Sequence, residues 1–149
     1  MKVMLSPCTF CLIAAHELAA ALVFEDETSL AFLDHRPLFA GHCLLIPKAH
    51  FATLRDLPEA LTGRLFANAQ MLSAAVEDGL GAAGSFVAVN NRVSQSVPHL
   101  HIHVVPRRQG DGLKGFFWPR RKYRDSAEME ATRLTLLDAV ARIQTKSQP

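Results

Sequence analysis

Gln95-Ser96-Val97-Pro98-His99-Leu100-His101-Ile102-His103-Val104-Val105 decides how the rest of the chain is read. In an extended strand successive side chains point to opposite faces, so His99, His101 and His103 share one face while Leu100, Ile102 and Val104 share the other. The apolar face is suited to burial. The imidazoles then stand in a row about 6.5 to 7 Å apart, the rise of a strand over two residues. Three of the chain's seven histidines lie in that row. Charged rings side by side repel, and neutral rings leave polar nitrogens to satisfy, so the row points to a site rather than to an ordinary polar strand face. Two chemistries suit it. Three imidazoles can ligate one metal, since His-x-His on a strand sends two ligands to one zinc. Alternatively the middle ring is a nucleophile, available as neutral imidazole because its ordinary pKa is about 6.5, with its neighbours orienting it and handling protons.

Working outward, Ser85-Phe86-Val87-Ala88-Val89-Asn90 reads as a strand, and an antiparallel return through residues 91–97 places Asn90 and Ser96 near the row. Asp56-Leu57-Pro58-Glu59 opens a long helix, with Asp56 as its cap and the proline in its first turn. Leu61, Leu65, Ala69, Leu72 and Val76 follow at three- and four-residue steps, a stripe that belongs to the core, and Gly79, Gly81 and Gly84 end the helix. Residues 21–25 and 29–33 are apolar runs around the charged turn Asp26-Glu27-Thr28 and read as a hairpin. Asp34 closes its second strand, and His42 to Pro47 is a further strand running into Lys48-Ala49-His50. Cys8-Thr9-Phe10-Cys11 spaces two thiols either as half of a tetrahedral metal site or as reduced thiols at the start of a short helix. His16, His35 and His42 have no spacing that ties them to shared work, and they read as solvated or locally bonded. Asp125 and Ser126 cap a last helix, with Glu128 in its first turn and Leu134, Leu137 and Ala141 on one side. Five strands, one long inserted helix and a C-terminal helix make an α+β domain with a five-stranded antiparallel sheet.

The 149 residues are 49% apolar with a net charge of +2, which fits one ordinary globular domain over residues 1–149. Phe116-Phe117-Trp118-Pro119-Arg120-Arg121-Lys122-Tyr123-Arg124 interleaves aromatics and cations as a nucleic-acid face would, but the overall charge is too balanced to support that partner. No apolar run approaches a membrane span, and the amino terminus lacks the basic head and long apolar core of a signal peptide. Cys8, Cys11 and Cys43 are an odd set that fits a reducing compartment, so a cytoplasmic protein is expected.

The stretch 95–105 resembles the histidine triad signature, His-x-His-x-His flanked by apolar residues, of the HIT family of nucleotide hydrolases and transferases. The likeness extends to Ala31-Phe32-Leu33-Asp34 and to Gly41-His42-Cys43-Leu44-Leu45-Ile46-Pro47-Lys48-Ala49-His50, and so covers nearly the whole chain. It implies a bacterial-type HIT protein with an HIT-like fold. It also implies that His101 attacks the α-phosphorus of a purine nucleoside phosphoramidate or dinucleoside polyphosphate, giving a nucleotidyl-histidine that water cleaves. A backbone carbonyl would take the proton of the other His101 nitrogen. By the same resemblance His103 and Ser96 steady the phosphate or the departing group and His99 orients the site. Asp34 accepts ribose hydroxyls, and Asn90 and Gln95 touch the substrate. Relatives with an amino-terminal cysteine pair are similar to galactose-1-phosphate uridylyltransferases in binding a structural zinc, which maps onto Cys8, Cys11, His50 and His99. The family implies a homodimer, with the segment 107–124 lying across its interface. A nucleotidyltransferase, and a non-catalytic nucleotide- or metal-binding sensor, are the alternatives on this fold. Residues 91–97 depart from the family by lacking glycine, with Arg92 and Val93 in the loop.

Overall fold

A computed structural model describes residues 7–113 and 121–146. The chain divides into two compact units, Met1–Asp111 and Gly112–Pro149. In the first, α1 (Thr9–Ala14) is followed by β1 (Leu22–Glu25), β2 (Ser29–Leu33), β3 (Cys43–Pro47), a 3-10 turn (Leu54–Asp56), α2 (Glu59–Leu80), β4 (Gly84–Val89) and β5 (Ile102–Arg107). The strands form one sheet in the order β1-β2-β3-β5-β4, with every neighbouring pair antiparallel. This is the expected α+β arrangement, and α2 is the long insertion between β3 and β4.

Alternation along the central strands sorts the core into two layers. Ala31, Cys43, Leu45, Ile102 and Val104 face α2, where they meet Leu65, Ala69, Leu72 and Val76. Leu30, Phe32, Leu44 and Ile46 face the other way, onto Phe10 and Ile13 of α1. Every residue of β3 is buried because the strand is covered on both faces. Fully burying a Leu, Ile or Val side chain contributes roughly 1.5–3 kcal/mol, so these layers dominate the unit's stability.

Polar groups fix the connections. One oxygen of Asp26 accepts the backbone N–H groups of Thr28 and Ser29 at 2.8 Å each, which shapes the β1–β2 turn. The other accepts from Asn68 Nδ2 at 2.9 Å and Arg64 Nε at 3.2 Å, tying that turn to α2. Burial alone would raise the Asp26 pKa, but the donors from Asn68, Thr28, Ser29 and Arg64 outweigh it and hold the carboxyl far below its ordinary value. The α2 terminus is Gly81 in the left-handed region, φ 60°. Arg108 donates to the carbonyls of Leu80 and Gly81 at 2.5 and 2.7 Å, satisfying groups the helix leaves unpaired. At the other end Asp56 does not cap α2 as expected. It accepts from Thr53 N–H at 2.9 Å and Thr53 Oγ1–H at 2.7 Å, closing the 3-10 turn, and Pro58 takes the N-cap position.

In the second unit, α3 (Ser126–Lys146) starts as expected: Glu128 N–H donates to Asp125 Oδ1 at 2.8 Å, and Arg124 N–H donates to Glu128 Oε2 at 2.5 Å. No side chain of α3 is buried, and Leu134, Leu137 and Val140 stand exposed. The aromatic–cationic run expected at an interface lies partly outside the described residues, at 114–120, as does the chain end at 147–149. Among the described residues no helix is long and apolar enough to cross a membrane.

Candidate active site and metal centre

The histidine stretch is less regular than a ladder of rings. Strand β5 begins only at Ile102, so His99 and His101 lie in the extended approach to it. Pairing is still present there, since Leu100 N–H donates to Phe51 O at 2.6 Å, and Leu100, Ile102 and Val104 are fully buried on the α2 side as alternation requires. The rings themselves do not form an even row. The His101 and His103 centroids are 4.9 Å apart, while His99 turns into a separate group with Cys8, Cys11 and His50.

His99 and His101 are buried. The nitrogen His101 Nδ1 lies 2.7 Å from the carbonyl oxygen of His99. A carbonyl can only accept, so Nδ1 carries the proton and Nε2 keeps its lone pair. Phe10 packs edge-on against the ring, with centroids 5.2 Å apart at 87°.

His103 sits opposite Leu44 in the β3–β5 register, and His42 lies just ahead of β3 on the same face. The two become diagonal neighbours across the strands. His42 Nε2 is 3.0 Å from His103 Nδ1 and 3.8 Å from an Asp34 oxygen. Leu38 N–H donates to His42 Nδ1 at 3.1 Å, so a neutral His42 carries its proton on Nε2. That proton goes to His103 Nδ1, and the His103 proton is left on Nε2. Burial lowers the pKa of His42 against the pull of Asp34. Burial first, then the neighbouring His101 and His42, push His103 down to about 4. Both rings are therefore neutral near pH 7. His42 was expected to be solvated or locally bonded, and it is instead buried inside the site. Its signal was parity: position 42 alternates with 44 and 46, and so faces the histidines once β3 pairs with β5. Gly41 makes the turn into it at φ 97°, where a Cβ would also run into Leu80.

The remaining expected site residues divide. Asp34 is brought to the histidines, with one oxygen accepting Arg36 N–H at 2.9 Å and the other turned toward His42. Gln95 serves the loop backbone: its Oε1 accepts Arg92 N–H at 2.8 Å and its Nε2 donates to Ala52 O at 2.6 Å. Asn90 Nδ2 donates to Ser94 O at 3.3 Å, and Ser96 stands exposed. His16 pairs with Glu25 at 3.0 Å, and Lys48 with the same carboxylate at 2.8 Å.

Cys8, Cys11, His50 and His99 bring their ligand atoms within 4.8 Å of one another. His99 Nε2 donates to Pro47 O at 2.8 Å, so its Nδ1 lone pair faces the group. It lies 3.5 Å from each sulfur and 3.2 Å from His50 Nδ1. A tetrahedral zinc at ordinary bond lengths would set sulfur–nitrogen edges of about 3.5 Å and nitrogen–nitrogen edges of about 3.3 Å. The donor set therefore fits a divalent metal in type, and His99 fits it in tautomer and in its distances to the other three ligand atoms. Burial, then the neighbouring Cys8, push the Cys11 thiol pKa up, a penalty that a coordinated dication would reverse.

The HIT domain model matches residues 15–110, so the cysteine pair lies outside the matched span. An uncharacterized HIT-like protein of Mycobacterium tuberculosis is 35% identical over 147 residues, covering 95% of this chain and 99% of that one. The crystal structure of a HIT family member from Bacillus subtilis superposes with a TM-score of 0.81 at 29% identity, over 89% of this chain and 96% of that one. A Zn-bound histidine triad family protein from Mycobacterium smegmatis gives 0.69 at 37% identity, over 95% and 98%. Three relatives carry enzyme names: an adenylylsulfatase of Arabidopsis thaliana, an adenosine 5'-monophosphoramidase of Saccharomyces cerevisiae and a bis(5'-nucleosyl)-tetraphosphatase of Schizosaccharomyces pombe. They are 34%, 31% and 30% identical, over 71%, 77% and 59% of this chain and 55%, 72% and 50% of theirs.

Proposed function

Because the chain belongs to the HIT family, we propose that it is a nucleotide hydrolase that cleaves purine nucleoside phosphoramidates or dinucleoside polyphosphates at the α-phosphate. One observation carries this reading: the bond from His101 Nδ1–H to the His99 carbonyl at 2.7 Å, which leaves an unprotonated Nε2. That nitrogen attacks the α-phosphorus. The bond to the leaving nitrogen or oxygen breaks with its electron pair, and the leaving group takes a proton. That proton comes from solvent, while neutral His103, held with its proton on Nε2 by His42, donates a hydrogen bond to the phosphate oxygens or the departing atom. Water then adds to phosphorus, the P–Nε2 bond breaks, and a nucleoside monophosphate leaves. The three enzyme-named relatives support the class of reaction, since their named activities all break a bond to a nucleotide phosphorus.

Asp34 would accept the ribose hydroxyls through the oxygen not committed to Arg36. Cys8, Cys11, His50 and His99 would hold a structural zinc, which when bound locks the backbone that presents the His99 carbonyl. The resemblance and the reduced thiols support a cytoplasmic homodimer. The test mixes the protein with adenosine phosphoramidate labelled at phosphorus, quenches in alkali and looks for acid-labile label. Label mapped to His101 and lost in His101→Ala is the expected result. Wild-type turnover with no trapped label, unchanged in His101→Ala, would overturn the reading.

A further inference from the structure

Two thiols, with an aromatic ring between them in the chain, stand where the metal group and the nucleophile meet. Cys8 is the N-cap of α1, with extended backbone, and Cys11 lies in the first helical turn. Side chains three residues apart on a helix have Cβ atoms about 5–6 Å apart, and a disulfide joins Cα atoms about 4.4–6.8 Å apart, so the Cys-x-x-Cys spacing is within reach of a bridge. The sulfurs are already neighbours. Both lie 3.5 Å from His99 Nδ1, and the Cys8 side chain hydrogen-bonds the Cys11 thiol. Both cysteines are free and half-buried, with exposed Thr9 and His50 beside them, so a small solute reaches them. Cys43, the third thiol, is instead buried in the α2 layer and donates to Gly41 O at 3.2 Å.

Two contacts carry a change at this pair to His101. Phe10, between the cysteines in the chain, packs edge-on against His99, His101 and Phe32, with centroids 5.9, 5.2 and 5.4 Å away. His99, whose Nδ1 faces both sulfurs, accepts His101 Nδ1–H on its carbonyl at 2.7 Å. A tetrahedral zinc at ordinary bond lengths holds two thiolates about 3.8 Å apart, whereas a disulfide holds its sulfurs about 2.05 Å apart and leaves no thiolate to ligate. Bridging the pair therefore leaves His50 and His99 as two ligands of four, and it draws in the turn of α1 that carries Phe10.

We propose that Cys8 and Cys11 are a modification site for hydrogen peroxide, where oxidation to a disulfide expels the metal and slows turnover at His101. The site rests on the zinc and hydrolase readings and adds a redox response to them. One thiolate attacks a peroxide oxygen, the O–O bond breaks to release hydroxide, and a sulfenic acid forms. The second sulfur then makes the S–S bond and displaces that oxygen, which leaves as water. Two thiolates, one peroxide and two protons thus give one disulfide and two waters, with the dication set free. A dithiol reductant reverses the bridge by exchange. Transient bridges of this kind are the ones that sense oxidants in a reducing compartment.

The test takes the full chain, reduced, and begins with its zinc content. A reduced chain that takes up no zinc ends both the ligand set and this site. Zinc-loaded protein is then titrated with hydrogen peroxide, with a chromogenic chelator reading metal release and peptide mass mapping locating the bridge. The expected result is a Cys8–Cys11 disulfide, zinc released in proportion to it, Cys43 left as a thiol, and kcat on adenosine phosphoramidate lowered by about tenfold, a typical cost of losing a group that orients a working histidine. Dithiothreitol and zinc together should restore both readings. Cys8→Ser leaves one thiol of the pair and should form no bridge. The site is overturned by a peroxide loss of kcat in that variant as large as in the wild type, by a bridge that leaves zinc bound or kcat unchanged, or by sulfurs that stay reduced while zinc stays bound. Should the wild type hydrolyse no phosphoramidate, the hydrolase reading falls, and the His101 ring resonances, assigned by their loss in His101→Ala, decide instead. A shift on oxidation that dithiothreitol and zinc reverse supports the site, and no shift overturns it.

Discussion

His99 and His103 are four residues apart on one stretch, and the structure gives them two different surroundings. At His99, Nε2 donates to the Pro47 carbonyl, so Nδ1 presents a lone pair to two sulfurs and a second imidazole. At His103, Nδ1 accepts from His42, so the ring keeps a proton on Nε2. One surrounding suits a soft metal and the other suits a neutral ring that donates a hydrogen bond. Between them His101 is tied to the metal side by its bond to the His99 carbonyl and by Phe10, which packs edge-on against both rings. The comparison shows that the partner of one ring nitrogen, rather than the residue type, assigns the work of the other.

On that division, substitutions on either side have separable signatures. Cys11→Ser breaks the soft-donor side. It should lower zinc affinity by more than the 10–100-fold, roughly, that loss of an outer-shell partner costs. Metal content by mass spectrometry after dialysis checks this, and a variant that keeps one zinc per chain would refute the ligand set. His42→Ala breaks the other side and should leave metal content alone. It is expected to reduce kcat about 10²-fold, the lower end of what loss of one positioned hydrogen-bond donor to a developing charge costs. His42→Gln, whose amide can donate where Nε2–H does, should recover about tenfold of that, and steady-state kinetics on the phosphoramidate read both values. A His42→Ala variant that lost zinc instead would merge the two sides into one. The smallest effect sharpens the comparison from outside. Asp26→Asn removes a carboxylate that accepts from four residues, Thr28, Ser29, Arg64 and Asn68, between the β1–β2 turn and α2, and that belongs to neither set of rings. It should lower unfolding stability by about 1–3 kcal/mol in urea melts, with kcat/KM within about twofold of wild type.

Much of this was legible before any coordinates. Leu100, Ile102 and Val104 announced their burial by alternation, and Leu65, Ala69, Leu72 and Val76 announced a core stripe by helical spacing. Both patterns are local, and local periodicity is what a linear sequence records. Asp56 was misassigned because a cap three residues away satisfies the same chemistry, and the choice between the 3-10 turn and α2 depends on Thr53. His42 was missed for a different reason. Its parity with Leu44 and Ile46 marks only a strand face, and the partner that gives that face a use, His103, is 61 residues away. The amide of Gln95 is engaged with Arg92 and Ala52, a loop-setting role that depends on a residue 43 positions away and that the sequence does not announce.

The sequence by itself determined which residues stood out as candidates: three alternating imidazoles, a pair of thiols at metal spacing, and apolar partners that carry the histidine stretch into the sheet. Tertiary structure alone decided which nitrogen of each ring is protonated, that His42 and Asp34 join His103, and that His99 leaves the row to face the cysteines. The physical reason is one of range. Side-chain parity follows from bonds along the chain, while a tautomer follows from whichever donor or carbonyl the fold brings to within about 3 Å of a ring.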